Sequence, residues 1–198
     1  PPMSARRQRQ MCIRDRARFL NAPSPNEIVF TRNATHSINQ VAHGLAWEKG
    51  DVVLTTDREH NSNLVPWLQL EQEQGIDHRV VPSHPDNTFD MEAFEAACAE
   101  AGKNLKMVAM SHVGNLDGIE IPVAEVTKVA RDHDALVAID GAQSTPHMNV
   151  DVQALDIDFL SFSIHKMCGP SGMGGLWGRY DLLDLSLIHI SEPTRRPI

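Results

Sequence analysis

ALVAIDGAQ, residues 135–143, is an apolar run that ends in an aspartate and leads directly into small residues. A short apolar run bounded by turn residues is typical of a strand that is buried on both faces of a parallel sheet. Six further stretches share this character: EIVFT (27–31), DVVLTT (51–56), HRVVP (78–82), KMVAMSHV (106–113), DFLSFS (158–163) and GGLWG (174–178). The seven runs predict the strands of one sheet.

Helical patterns lie between these runs, and they cover residues 35–44, 64–75, 91–102 and 123–132. Asn33 is placed to cap the first helix, the second and third end on glycine, and Pro122 precedes the fourth. Strands that alternate with helices predict an α/β fold, here a mostly parallel seven-stranded sheet with helices on both faces. The sequence contains no internal repeat and no low-complexity linker, so we expect one α/β unit.

Composition argues against several classes of protein. With 198 residues and 41% hydrophobic content, the chain fits one globular domain. A net charge of -8 without a basic stripe in the central region argues against nucleic acid as a partner. The sequence shows no apolar run of about 18 residues and no secretory signal, so we expect no membrane partner and a cytoplasmic location. The scattered Cys12, Cys98 and Cys168 predict free thiols rather than disulfides or a metal site.

Both ends differ from the middle in composition. Residues 1–18 are crowded with arginine, and QRQMCIRDR (8–16) resembles a peptide that arises when sequencing-adapter DNA is translated. SLIHISEPTRRPI (186–198) resembles another peptide of this origin. A basic arm or a transit peptide is the alternative for the first stretch. We interpret both ends as non-native tails, and we expect residues 19–185 to be a truncated domain.

A set of residues, polar except for Ala34, lies at or just after the carboxyl ends of the predicted strands, where open α/β sheets bind ligands. They are Asn33, Ala34, Thr35, Glu59, His60, Asn115, Asp140, Gln143, Ser163, His165 and Lys166. We expect one crevice to collect them.

Lys166 stands between an apolar strand and a glycine-rich turn, which is an unusual place for a surface lysine. A desolvated lysine can form the Schiff base of a pyridoxal phosphate (PLP) enzyme. PLP also needs a carboxylate beside its pyridinium nitrogen, which Asp140 could supply, and donors for its phosphate, such as Thr35 at a helix N-terminus. His60 could stack on the ring and move protons. Each residue also has an ordinary interpretation as a cap, a turn residue or a structural histidine, so none decides the function alone.

Five segments together carry a family resemblance: FTRNATHSIN (30–39), TDREHNSNLVPW (56–67), SHVGNLDG (111–118), AIDGAQSTPH (138–147) and SFSIHKMCGPSGMGG (161–175). In wording, order and spacing they resemble the class V aminotransferase superfamily of fold-type I PLP enzymes, and most of all the Suf-type (group II) cysteine desulfurases. The resemblance covers nearly all of residues 27–183. It implies PLP as the cofactor, and it implies that residues 19–185 are a partial PLP-binding large domain without its small C-terminal domain.

The resemblance also implies roles for the matching residues. Lys166 would form the Schiff base, Asp140 would hold the pyridinium nitrogen, and Gln143 would donate a hydrogen bond to the phenolic oxygen. His60 would stack on the ring, and it or Lys166 would shuttle protons. Asn115 would lie near the phenolic oxygen and the substrate carboxylate. Four residues would bind the phosphate: Ala34, Thr35, Ser163 and His165.

Three positions depart from the family pattern. Asn33 and Ala34 stand where the desulfurases often have Gly-Thr, and Asn61 replaces a common second histidine. Ile164 replaces a glycine before the His-Lys pair. The first two changes could alter substrate handling, and the third adds bulk beside the lysine turn.

The implied reaction converts L-cysteine into L-alanine and passes the sulfur to an enzyme cysteine as a persulfide. In the family that cysteine, and the arginine that binds the substrate carboxylate, lie beyond the last residue of this sequence. Cys168 is predicted to pack in a turn instead. The implied partners are L-cysteine or a related amino acid, a second copy in a homodimer, and a sulfur-acceptor protein, as in iron–sulfur cluster assembly. Two alternatives stay open: another class V enzyme, such as an aminotransferase or a selenocysteine lyase, or a truncated fragment without activity.

Overall fold

The computed structural model describes residues 5–185, which form a seven-stranded sheet covered by helices. The strands are β1 (Ile28–Thr31), β2 (Val52–Thr56), β3 (Asp77–Val81), β4 (Leu105–Ser111), β5 (Leu136–Asp140), β6 (Phe159–Ser163) and β7 (Gly174–Gly178). The helices are α1 (Ala5–Phe19), α2 (Ala34–Gly44), α3 (Asn61–Gln74), α4 (Met91–Ala101), α5 (Val123–Asp132), α6 (Ser144–His147) and α7 (Tyr180–Leu185). All seven predicted strands are confirmed.

The strand order is β1-β7-β6-β5-β4-β2-β3. β7 runs antiparallel to β1 and β6, whereas every other neighbouring pair is parallel. The parallel strands therefore all end along one side of the sheet, which we call the carboxyl edge. β7 begins at this edge, because Gly174 pairs with both Thr31 and Ser163. The predicted mostly parallel sheet is confirmed.

Side chains of each strand alternate between the two faces of the sheet. Val53 belongs to the apolar core that α2, α3 and α7 cover, whereas Val52 and Leu54 belong to the core that α1, α4 and α5 cover. Trp67 on α3 and Phe94 on α4 are fully buried, one in each layer. Burial of Phe94 alone contributes about 2 kcal/mol. Helices thus lie on both faces, as the sequence predicts.

Helix boundaries agree with the prediction except at the start of α3. This helix begins at Asn61 rather than at residue 64, because the His60 side chain accepts a hydrogen bond from the Ser62 N–H and caps it. The helix ends at Gly75, whose φ of 73° is left-handed. Among the helices of residues 5–185, none is both long and apolar enough to cross a membrane.

Helix α1 contains much of the arginine-rich stretch, and the sequence analysis predicted no helix there. Ala17 and Leu20 are buried against the sheet, and the Arg16 guanidinium carbon lies 5.7 Å from the centroid of the Phe30 ring. The non-native origin proposed for residues 1–18 stays a prediction. The same interpretation of residues 186–198 falls outside the described residues.

Candidate active site

A cavity of about 230 Å³ opens at the carboxyl edge of the sheet. Its lining includes all nine residues predicted to bind a cofactor: Ala34, Thr35, His60, Asn115, Asp140, Gln143, Ser163, His165 and Lys166. They lie at or just after the ends of β1, β2, β4, β5 and β6, and they meet because all these strands end at the carboxyl edge. The sequence therefore identified the residues that share this cavity, while their chemical roles stay predictions.

The N-terminus of α2 forms one wall of the cavity. Asn33 caps the helix by accepting a hydrogen bond from the His36 N–H (2.8 Å), and the Ala34 N–H donates to Ser163 Oγ (2.9 Å). Because the Ser163 hydroxyl accepts this bond, its own proton remains available for a ligand. Thr35 is exposed beside it. A helix N-terminus attracts anions through its N–H groups and its partial positive charge, so this wall suits a phosphate.

Close packing against β7 holds this wall in place. A Cβ atom on Gly174 would lie 2.5 Å from the Asn33 Cα, 2.7 Å from its C and 2.8 Å from its N. Only glycine allows the backbone before α2 to approach the strand so closely. The Ser37 hydroxyl adds a hydrogen bond to the Gly175 carbonyl (3.0 Å), which ties α2 to the same strand.

Asp140 ends β5 beside the cavity and is 6% exposed. Its Oδ1 accepts a hydrogen bond from the Ala142 N–H (2.9 Å). Burial raises the pKa of the Asp140 carboxyl, and this rise is opposed only in part by the Ala142 N–H, by the charge of Lys166, by His60 when it is protonated, and by the Ser62 side chain. A buried carboxylate of this kind gains most from a cationic ligand in direct contact. The site therefore suits a ligand with a protonated nitrogen.

His60 lies at the start of α3 and lines the cavity as an exposed side chain. Its Nδ1 accepts a hydrogen bond from the Ser62 N–H (3.1 Å), and Ser62 Oγ lies 2.7 Å from the same nitrogen. A neutral imidazole whose Nδ1 accepts a hydrogen bond carries its proton on Nε2. The helix start thus fixes both the orientation of the ring and its tautomer.

His165 and Lys166 are exposed on the 3₁₀ turn Ile164–Met167, directly after β6. Ile164 is buried and occupies the inside of this turn. The prediction that Cys168 packs in the turn is wrong: Cys168 ends the turn with a left-handed φ of 59°, and its side chain is exposed, since Ile164 already fills the interior. Cys168 does not line the cavity.

Cys98 is a free thiol, as predicted, and it is buried on α4. Burial raises the pKa of its thiol to about 12, so Cys98 stays protonated near neutral pH. Thiolates are the nucleophilic form of cysteine, so this residue is a part of the core rather than of a reaction.

Four further residues line the cavity that the sequence analysis did not predict: Ser62, Ser111, Val113 and Ala142. Ser111 is the last residue of β4, but the strand was predicted to continue to residue 113, so the rule that ligands bind at strand ends did not point to Ser111. Glu59 is the opposite case, because it was expected in the crevice and does not line the cavity. Its carboxylate accepts four hydrogen bonds from neighbouring strands and from α3, and these turn it away from the ligand space.

The Aminotransferase class-V family model matches residues 5–187. The chain belongs to this family. A probable cysteine desulfurase of Streptomyces coelicolor is 41% identical over 175 residues, which are 85% of this chain and 41% of that protein. The structure of the Escherichia coli cysteine desulfurase CsdA has a TM-score of 0.84 and 32% identity, covering 94% of this chain and 48% of CsdA. This chain thus spans less than half the length of either relative.

A third relative is the cystine C–S lyase C-DES. A mutant of C-DES with glycine covalently linked to its PLP cofactor has a TM-score of 0.81 and 29% identity. The match covers 93% of this chain and 50% of C-DES. The described residues therefore share the fold of an enzyme that holds PLP.

Proposed function

We propose that this chain is the PLP-binding part of a cysteine desulfurase, an enzyme that converts L-cysteine into L-alanine and keeps the sulfur as a persulfide. The observation that carries the proposal is the convergence of all nine predicted residues on one cavity. Relatives named cysteine desulfurase, at 41% and 32% identity, support this reaction. Membership of the class V family supports PLP as the cofactor.

The residues of the cavity fit PLP in charge and in chemistry. The α2 wall would bind the phosphate through the first-turn N–H groups and the hydroxyls of Thr35 and Ser163, with His165 as a further donor. Asp140, whose buried carboxyl has a raised pKa, would gain a cationic partner in the protonated ring nitrogen. Gln143 would donate to the phenolic oxygen. Bound PLP would supply an electron-accepting ring that stabilises negative charge at the substrate Cα.

Lys166 and His60 would carry the covalent and proton-transfer chemistry. The Lys166 amine would link to the cofactor aldehyde and, once released by substrate, would take up the Cα proton. His60 would cover one face of the ring, with its Nε2 proton available because Nδ1 is held by Ser62. Asn115 would lie near the phenolic oxygen and the substrate carboxylate.

The sulfur would pass to a thiol other than those of Cys12, Cys98 and Cys168. Cys98 is buried and protonated, and neither Cys12 nor Cys168 lines the cavity. We therefore assign the persulfide to a cysteine of a longer protein, and the cytoplasmic location, the homodimer and the sulfur-acceptor partner belong to that proposal too.

A C–S lyase is the second candidate, because C-DES shares the fold over 93% of this chain. The products separate the two candidates. A desulfurase releases alanine from L-cysteine, whereas a lyase that eliminates sulfur from Cβ yields pyruvate and ammonia. Amino-acid and keto-acid analysis after incubation of the longer protein with L-cysteine or L-cystine decides between them.

Borohydride reduction tests the cofactor site directly. The 198-residue chain is incubated with PLP, reduced with borohydride, digested and mapped by mass spectrometry. We expect a pyridoxyl group on Lys166 and a visible absorption band before reduction. Lys166→Ala should lose both, whereas Lys128→Ala, which removes an exposed lysine on α5, should keep both. Labelling at another lysine, or no labelling of the wild type, would contradict the proposed site.

A further inference from the structure

We infer that Glu59 is a positioning residue that holds His60 and Ser111 in the cavity wall by joining β2, α3 and β4. The inference deepens the proposed function and rests on it, because the ligand in question is PLP. Glu59 itself does not line the cavity, so it would act through its neighbours.

Both oxygens of the Glu59 carboxylate are fully used. Oε1 accepts hydrogen bonds from the Thr56 hydroxyl (2.7 Å) and the Ser111 N–H (3.0 Å). Oε2 accepts from the Asn63 amide (2.7 Å) and the Ser111 hydroxyl (2.7 Å). One carboxylate thus connects the end of β2, the first turn of α3 and the end of β4.

These bonds constrain the residue next to Glu59 in the chain. His60 lies between the Glu59 anchor and its own cap on Ser62, so the backbone is held on both sides of the imidazole. On the other side of the carboxylate, Ser111 lines the cavity while its N–H and hydroxyl both donate to Glu59. Glu59 therefore sets the distance between two parts of the same wall.

A carboxylate is the group that this place requires, because two of the four donors cannot become acceptors. One is the Ser111 backbone N–H. The other is the Asn63 amide nitrogen, which also donates to the Ala109 carbonyl (3.2 Å) while Asn63 Oδ1 accepts from Trp67 Nε1 (3.3 Å). An amide in place of Glu59 would set its own NH₂ against one of these fixed donors, whichever way it turned. Burial raises the pKa of the Glu59 carboxyl, and the hydrogen bonds from Ser111, Asn63 and Thr56 oppose that rise.

Glu59→Gln tests the inference, with Glu27→Gln as the matched control. Glu27 is another buried carboxylate, which accepts hydrogen bonds from Trp177 Nε1 (3.1 Å) and the Ser24 N–H (3.4 Å) and does not line the cavity. Hydrogen exchange of the Ser62 amide in the chain without PLP reports directly on the His60 cap. The rate is compared with that of the Val53 amide in the core, which corrects for a change in global stability.

We expect Glu59→Gln to accelerate Ser62 exchange relative to Val53 by about tenfold and to raise the Kd for PLP by a similar factor, as a lost buried acceptor commonly does. Glu27→Gln should change neither. In a His60→Ala background, Glu59→Gln should weaken PLP binding much less. The imidazole is already missing there, so Glu59 can act on the ligand only through Ser111. Thr56→Val, which removes one of the four donors, should act in the same direction with a smaller factor if Glu59→Gln does not fold.

The outcomes distinguish the positioning role of Glu59 from the proposed binding of PLP. Unchanged relative exchange of Ser62 overturns the positioning role. If the losses of PLP-binding free energy caused by Glu59→Gln and His60→Ala add fully in the double variant, Glu59 does not act through His60. Its carboxylate then has a structural role only. Failure of the wild type to bind PLP overturns the proposed function, while the exchange result, measured without PLP, still supports or overturns the hold on His60.

Discussion

Asp140 is a carboxyl group that the fold buries at the end of β5, where its Oδ1 accepts a hydrogen bond from the Ala142 N–H. Desolvation is the largest influence on its pKa, and it favours the protonated form. Because the folded state binds this proton more readily than the unfolded chain does, stability must fall as the pH rises through the raised pKa. A cationic ligand removes this cost, which links binding to stability.

Asp140→Asn should therefore stabilise the cofactor-free chain at neutral and alkaline pH while weakening PLP binding. We expect a gain of about 1 kcal/mol in the free energy of unfolding, a size common when a destabilised site residue is neutralised. The gain should shrink as the pH falls and Asp140 in the wild type becomes protonated. Urea unfolding of both proteins over a pH series measures it.

Asp151→Asn supplies a control of opposite sign. The Ala154 N–H, the Asn21 side chain and the Gln153 N–H all donate to Asp151 and lower its pKa. Its charged form therefore stabilises the fold above the ordinary aspartate pKa, and that contribution is lost as the pH falls through the lowered value. Asp151→Asn should thus destabilise at neutral pH. Equal responses of the two variants would show that the pH dependence does not come from Asp140.

At the residue scale, the sequence predicted which side chains meet but not all of their directions. Lys166 and Asp140 were predictable because Asp140 ends one strand and Lys166 follows another, and both strands must end at the same edge. The direction of Glu59 was not, because it depends on donors of Ser111, which lies 52 positions away in the chain. The exposure of Cys168 likewise depends on how Ile164 fills the turn, which no spacing rule encodes.

Among the elements, the contact between β7 and the start of α2 matters most for ligand binding. The wall that suits a phosphate exists only while the Asn33 backbone rests on Gly174. Both partners were visible in the sequence, one as a cap and the other in a glycine-rich run. Their contact was not, because β7 pairs with β1 although β2 to β6 all lie between these two strands in the chain.

Gly174→Ala should separate this pair, since the new methyl group would meet backbone atoms that cannot rotate away. We expect a loss of about 2 kcal/mol in stability, as is usual for overpacking, together with weaker PLP binding. Gly178→Ala is the control for overpacking on the same strand, because the three atoms nearest to its methyl group belong to the side chains of Leu183 and Phe159 rather than to a backbone. Urea unfolding and PLP titration measure both effects. Normal PLP affinity in a folded Gly174→Ala protein would show that the α2 wall does not bind the phosphate.

The start of α3 shows why element boundaries were harder to predict than elements. The apolar pattern begins at Leu64, so the helix was predicted from there. Its first turn is polar and forms because His60 caps it and Asn63 binds Glu59. These local capping contacts thus extend a helix that its own apolar periodicity would begin one turn later.

For the whole molecule, the sequence predicted seven strands and their mostly parallel sense, but not their order. Periodicity identifies an element by its own residues, whereas β7 takes its place between β1 and β6 through pairings with distant strands. The two ends of the strands in this sheet differ in role. The cavity lies at the carboxyl edge, whereas the opposite edge is stabilised by Asp158, which directly precedes β6 and is only 1% exposed.

Asp158→Ala should destabilise the protein without changing the site. Asp158 Oδ2 accepts hydrogen bonds from Arg131 Nη1 (2.7 Å) and the buried Val137 N–H (2.7 Å), so its removal leaves a buried donor and costs about 3 kcal/mol. Asp156→Asn, which neutralises an exposed partner of Arg131 and keeps a residue type that tolerates the left-handed φ of 51° at this position, should cost less than about 0.5 kcal/mol. β6 separates Asp158 from Ser163 by roughly 16 Å at about 3.3 Å per residue, so PLP affinity of the folded variant should equal that of the wild type. A fall in affinity measured well below the unfolding transition would mean that the two edges are coupled through the sheet, and the cavity could then no longer be treated as a property of the carboxyl edge alone.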